Sequence, residues 1–209
     1  MPRPRVRPPW AIAIALPLLL AGCATLPPPA TETAGQAAQR RFHETIDIGG
    51  RLSVRYQANG REESLHGSFT WSQTPAQTIV NLLSPLCQTV AAIEVNAEGA
   101  ILRQAGLQAK SAASVDALTA ETLGWPLPVA GLREWLQGFA VDSSGERVVA
   151  TPPETRIHSR DGWRIHYASW LEDNSSSPQN RPRRIDLARN TEQAGDVSLR
   201  IVIDTWQPR

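Results

Sequence analysis

The most constraining feature of this 209-residue chain is a period-two alternation that recurs through most of its length. In Leu65-His66-Gly67-Ser68-Phe69-Thr70-Trp71 the odd positions are apolar or glycine and the even ones polar. Leu52, Val54 and Tyr56 repeat the pattern, as do Trp163, Ile165 and Tyr167, then Ile185 and Leu187, then Val197, Leu199, Ile201 and Ile203. Side chains point alternately to the two faces of a strand, so each segment has one apolar and one wetted face. That is the mark of antiparallel strands covering a single core. Turn signals separate the segments: Ala58-Asn59-Gly60, Thr74-Pro75, Glu98-Gly99, Ser144-Gly145 and Asp161-Gly162. Many strands joined by short turns predict a curved sheet or barrel, a mainly β fold with some helix.

The helical part is predicted where the alternation stops. Val115, Leu118 and Leu123 recur at helical spacing, with Ser114 as N-cap and Gly124 as stop. Trp125-Pro126-Leu127-Pro128 cannot extend that helix. A second, from Val129 to Gln137, places Leu132, Trp135 and Leu136 on one face and ends at Gly138. Both apolar stripes need cover, and the concave side of a curved sheet offers it. A short helix is also predicted over Gln36 to His43 from its composition, and a polar loop over residues 172–180.

The N-terminus fixes the compartment. Arg3, Arg5 and Arg7 precede an apolar run from Trp10 to Leu20 that is too short to span a bilayer, which takes roughly 20 residues. The run ends in Leu20-Ala21-Gly22-Cys23. This order resembles the bacterial lipobox and implies that residues 1–22 are a signal peptide and that Cys23 is acylated. The plainer alternative is an ordinary secretory cleavage beside an incidental cysteine. Ala24, in place of aspartate, implies sorting to the outer membrane. Residues 23–35, with Pro27-Pro28-Pro29, read as a semi-rigid acylated tether, and residues 36–209 as one domain with its own core.

Charge and side-chain chemistry narrow the function. Without residues 1–22, which hold three arginines and no acid, 18 basic residues face 20 acidic ones, a formal charge of −2. That balance gives no electrostatic footprint for nucleic acid. Arg181, Arg183 and Arg184 form the one basic knot and read as a solvated strand face, with phosphate or headgroup binding as the alternative. No nucleophile elbow, paired-histidine zinc motif, phosphate-binding glycine loop or Cys-x-x-Cys is present, so no catalytic or metal-binding residue and no cofactor is assigned. With Cys23 acylated, Cys87 is a lone thiol. One stretch is unusual: Leu82-Leu83-Ser84-Pro85-Leu86-Cys87 sets a leucine beside the proline of a turn, where polar residues are the rule.

These segments together resemble the LolB family, the outer-membrane lipoprotein receptors of the lipoprotein-sorting pathway. The resemblance runs through Phe69-Thr70-Trp71, Leu82 to Leu86, Ile93-Glu94-Val95-Asn96, Leu123 to Pro128, Leu132 to Gly138, Trp163 to Tyr167 and Ile203 to Trp206. It implies an unclosed antiparallel β-barrel with a helical lid over an apolar cavity. It also implies a soluble LolA-like periplasmic carrier as donor, the acyl chains of cargo lipoproteins as ligand, and outer-membrane lipid as destination. Pro85, Leu86 and Cys87 match a protruding loop whose apolar tip puts cargo into the membrane. The family commonly has glycine where Cys87 stands, which predicts a differently shaped tip. Val54, Phe69, Trp71, Leu118, Leu123, Trp135, Trp163, Ile165, Leu199 and Ile201 are the residues expected to line the cavity, although each aromatic alone fits ordinary core packing. The chain is expected to act as a monomer. Two other classes stay open: an assembly-type outer-membrane lipoprotein without a cavity, and a hydrolase whose acid, base or nucleophile converge from scattered positions.

Overall fold

The computed structural model describes residues 40–58, 60–123, 127–171 and 180–209. The expected signal peptide of residues 1–22, Cys23, the expected tether, the start of the helix expected at residue 36, and residues 172–179 lie outside them. Arg40 to His43, the described remainder of that expected helix, is irregular chain. In chain order the elements are β1 (Ile46–Ala58), β2 (Arg61–Gln73), β3 (Gln77–Leu83), β4 (Thr89–Asn96), β5 (Gly99–Gln104) and β6 (Lys110–Ala112). Then come helices α1 (Val115–Leu123) and α2 (Val129–Trp135), followed by β7 (Phe139–Val141), β8 (Arg147–Val149) and β9 (Thr155–His158). The chain closes with β10 (Arg164–Leu171), β11 (Arg181–Thr191) and β12 (Gly195–Pro208).

Ten strands form one sheet in the order β6-β5-β4-β3-β2-β1-β12-β11-β10-β9, with every pair antiparallel. The sheet does not close, so β6 and β9 are its edges; β7 and β8 form a separate small hairpin. The first strand lies at the centre, paired to β2 on one side and β12 on the other. A register shift at Gly49/Gly50 interrupts its pairing with β12, and such bulges bend a sheet. No side chain fits at Gly50, where a Cβ would lie 2.1 Å from the Val202 carbonyl oxygen.

The alternation read from the sequence holds in three dimensions. Val54, Phe69, Trp71, Leu187, Leu199 and Ile201 are all buried on the concave face. On the outer face Arg51 pairs with Asp204 at 2.9 Å, and Asp186 accepts from Arg184 at 2.6 Å and from Arg200 at 2.8 Å. The basic knot is thus part of a solvated, ion-paired strand surface, where each exposed pair contributes little to stability.

The two helices close the concave side. Ser114 caps α1, its Oγ accepting the Ala117 N–H at 3.2 Å, and Val115, Leu118 and Thr119 are buried beneath it. Thr119 Oγ1 accepts the Leu127 N–H at 2.8 Å and donates to the Val115 carbonyl at 2.9 Å, which ties the approach to α2 onto α1. Val129, Leu132 and Trp135 are the buried stripe of α2. It ends two residues before the expected Gln137, in a turn closed by Gly138 at φ 80°.

One end of the half-barrel is stitched shut by buried polar groups. Gln137 Oε1 accepts the His43 N–H at 2.8 Å, and its Nε2 donates back to the His43 carbonyl at 3.0 Å. Gln73 Nε2 donates to the same carbonyl at 3.2 Å. Arg40 donates to the carbonyls of Gly138, Ala150 and Asn180 and lies 4.9 Å above the Trp170 ring. Burial lowers its guanidinium to a pKa of about 10, so it stays charged at neutral pH, held by carbonyl dipoles.

Candidate functional site

Inward side chains from five directions enclose a cavity of about 90 Å3, the share of liquid held by roughly three waters. The sheet contributes Leu52, Val54 and Tyr56 from β1, Leu65, Phe69 and Trp71 from β2, Val80 and Leu82 from β3, and Leu199 and Ile201 from β12. The lid contributes Leu127, Val129, Leu132 and Leu136. Only Tyr56 and Trp71 carry polar side-chain atoms among these, and Trp71 Nε1 donates to Gln73 Oε1 at 3.2 Å. A void lined this way stays dry and accepts apolar guests.

The cavity has a definite mouth. Pairing between β2 and β3 starts only at Ser68↔Leu83, so residues 61–67 of β2 run past the end of β3. Leu65 points inward from that overhang yet is 44% exposed, because no third strand covers it. The β3–β4 turn sits at this same end of the sheet. Its tip is Leu86, at 82% the most exposed large apolar residue among those described. Cys87 N–H donates to the Ser84 carbonyl at 2.9 Å and Ser84 N–H to the Gln88 carbonyl at 2.8 Å, which holds the turn out from the sheet.

Cysteine does not keep the tip out of the conformation that glycine adopts freely. Cys87 takes the left-handed conformation itself, at φ 60°. The cost to a residue with a Cβ is about 1–2 kcal/mol, and the two backbone hydrogen bonds of the turn offset it. Pro85 initiates the turn as anticipated, and the Cys87 thiol is free and exposed.

The ten residues expected at the cavity divide by where they sit. Val54, Phe69, Trp71, Leu199 and Ile201 line it. Leu118, Trp135, Trp163 and Ile165 do not; each is at most 4% exposed in closed core. Trp135 and Trp163 meet edge to face with centroids 6.4 Å apart, and Tyr167 Oη donates to the Trp135 carbonyl at 3.1 Å. Burial holds the Tyr167 hydroxyl far above the usual phenol range. These rings fill the space under β9–β11. The side chain of Leu123 lies outside the described residues. Leu65, Leu82, Leu127, Val129 and Leu132 were not on the expected list; the inward register of Leu65 and the stripe containing Leu132 were readable, but not that both face the hollow.

The geometry defines a class: an unclosed antiparallel half-barrel with a helical lid, a dry cavity and an exposed apolar tip beside its mouth. A family profile described as "Outer membrane lipoprotein LolB" matches residues 44–206. The chain is 37% identical to the outer-membrane lipoprotein LolB of Cupriavidus pinatubonensis over 92% of each chain. It is 36% identical to that of Ralstonia nicotianae, over 89% of this chain and 90% of the relative. Among solved structures, a LolA superfamily protein from Nitrosomonas europaea aligns over 84% of this chain and 91% of its own, at 14% identity and a TM-score of 0.46. The chain belongs to the LolB family. It is an outer-membrane lipoprotein receptor of the lipoprotein localisation pathway.

Proposed function

We propose that the receptor takes cargo acyl chains from a LolA-like carrier into the apolar cavity and releases them into the outer membrane beside Leu86. A chain of roughly fifteen methylenes loses about 12 kcal/mol when exposed to water, at about 0.8 kcal/mol each. That corresponds to about nine decades in population, so free diffusion through the aqueous space is negligible and transfer needs continuous apolar contact. The observation that carries this reading is the shared placement of mouth and tip: Leu65 at the cavity rim and Leu86 at the turn stand at one end of the sheet. Direction comes from differential binding and from final burial in the bilayer, so the steps need no nucleotide. A cavity of this size is too small for a whole chain, and cargo enters by parting the lid from β1–β3 at the rim. Acylation of Cys23 after loss of residues 1–22 anchors the protein, with residues 23–35 as tether to a single monomeric domain.

The test is Leu86→Glu in the acylated protein, with a labelled lipoprotein supplied by the carrier and followed into vesicles. Uptake from the carrier is expected to be unchanged and insertion lost. Normal insertion by this variant removes Leu86 from the mechanism.

A further inference from the structure

We propose that the β5–β6 turn is a second contact with the outer-membrane bilayer, made through Leu107; this rests on the reading of Leu86 as a membrane-facing tip. Leu107 is 66% exposed, second only to Leu86 among the large apolar residues described, and Val90 between the two turns is 45% exposed. Topology sets these residues together. Strands β3, β4, β5 and β6 are consecutive neighbours, so the β3–β4 and β5–β6 turns emerge from the same end, two strand spacings or about 10 Å apart. The Ala105 N–H donates to the Val90 carbonyl at 3.2 Å, which extends the β4–β5 ladder up to the second turn. Leu107 N–H then donates to the Gln104 carbonyl at 3.1 Å, with Gly106 at φ 77°, and the leucine is left at the apex.

Charge selects the occupant. No ionisable side chain other than the Cys87 thiol occurs from Gln77 to Ile93, and none from Gln104 to Ala109. The first charges behind the turns are paired: Arg103 with Glu94 at 3.1 Å, and Lys110 with Glu121 at 3.6 Å. The other turns at this end differ. Glu62 and Glu63 follow the β1–β2 turn, Arg160 and Asp161 lie in the β9–β10 turn, and Glu192 in the β11–β12 turn. Inserting a charge into lipid is costly, whereas an uncharged turn tipped with leucine enters the interface readily. An outer-membrane lipoprotein has one apolar surface always within reach, and the uncharged half of this rim fits it. Two contacts about 10 Å apart fix a line on the bilayer rather than a pivot, so they orient the cavity mouth toward the lipid.

The test uses the acylated protein on phosphatidylethanolamine–phosphatidylglycerol vesicles, with Cys87→Gly removing the native thiol. A polarity-sensitive fluorophore is placed in turn through Leu107→Cys, Leu86→Cys and Glu192→Cys. Blue-shifted emission quenched by nitroxide lipids is expected at 107 and 86 and not at 192. Quenching at 86 alone overturns the second contact and leaves the Leu86 reading intact. Quenching at neither overturns both. A label at 107 that is shielded by added carrier but not by lipid also overturns the proposal, in favour of a protein occupant.

Discussion

Beneath β9–β11, Trp163, Ile165, Tyr167, Ile185 and Leu187 are each no more than 1% exposed, and Trp163 and Tyr167 meet Trp135 from the lid. Beneath β1–β3 the inward positions Leu52, Tyr56 and Leu82 stay partly open and Leu65 is exposed, under Val129, Leu132 and Leu136. Both halves alternate with the same period and draw on similar residue types. They differ in what the lid sets opposite them. An indole and its partner rings fill one half, while aliphatic side chains leave a gap in the other. Whether a half-barrel has a solid core or a receptive hollow is therefore decided by the volume that lid and strands set against each other, not by the alternation of the strands alone.

Substitutions can break that comparison. Trp163→Ala empties a site that cannot collapse against its neighbours, and should cost about 3–5 kcal/mol in urea unfolding. Gln137→Ala leaves the part-buried His43 N–H unmet while Gln73 still serves its carbonyl, and should cost about 1–2 kcal/mol by the same measurement. In the hollow half Val54→Phe adds volume where space exists, so stability should change by less than about 1.5 kcal/mol. Binding of a fluorescent fatty-acyl probe should weaken about tenfold, the equivalent of displacing two methylenes. A loss of stability matching that of Trp163→Ala would mean that the two halves are packed alike. The smallest effect is at the rim: Cys87→Gly relieves a left-handed residue and should stabilise by up to about 1 kcal/mol, read as a shift in the urea midpoint.

The strands were legible because alternation is local, and the turns because Asn-Gly, Asp-Gly and Pro each constrain the backbone at one place. Ser114 and Gly138 marked helix ends for the same reason. Assigning residues to cavity or core was not local. Leu118, Trp135, Trp163 and Ile165 were correctly read as inward, but only the summed volumes across the interior tell which inward residues touch a void. Leu65 reads as an ordinary core position until β3 is seen to stop short of it. Arg40 gave no signal at all, since its partners are backbone carbonyls about 100 residues and more away in sequence.

The position of Arg40 has a consequence for how the molecule can stand. Its carbonyl partners and Trp170 lie where β10 ends and β11 begins, the end of the sheet remote from Leu86 and Leu107. With Cys23 acylated and the two turns on the bilayer, as proposed above, the leash is tied to the heel while the toes touch the floor. Seventeen residues from Cys23 to Arg40 reach at most roughly 60 Å, and a 13-residue strand such as β2 spans roughly 43 Å. The slack is enough for the body to turn over beside its anchor, and shortening the leash by a dozen residues would leave the toes hanging in water.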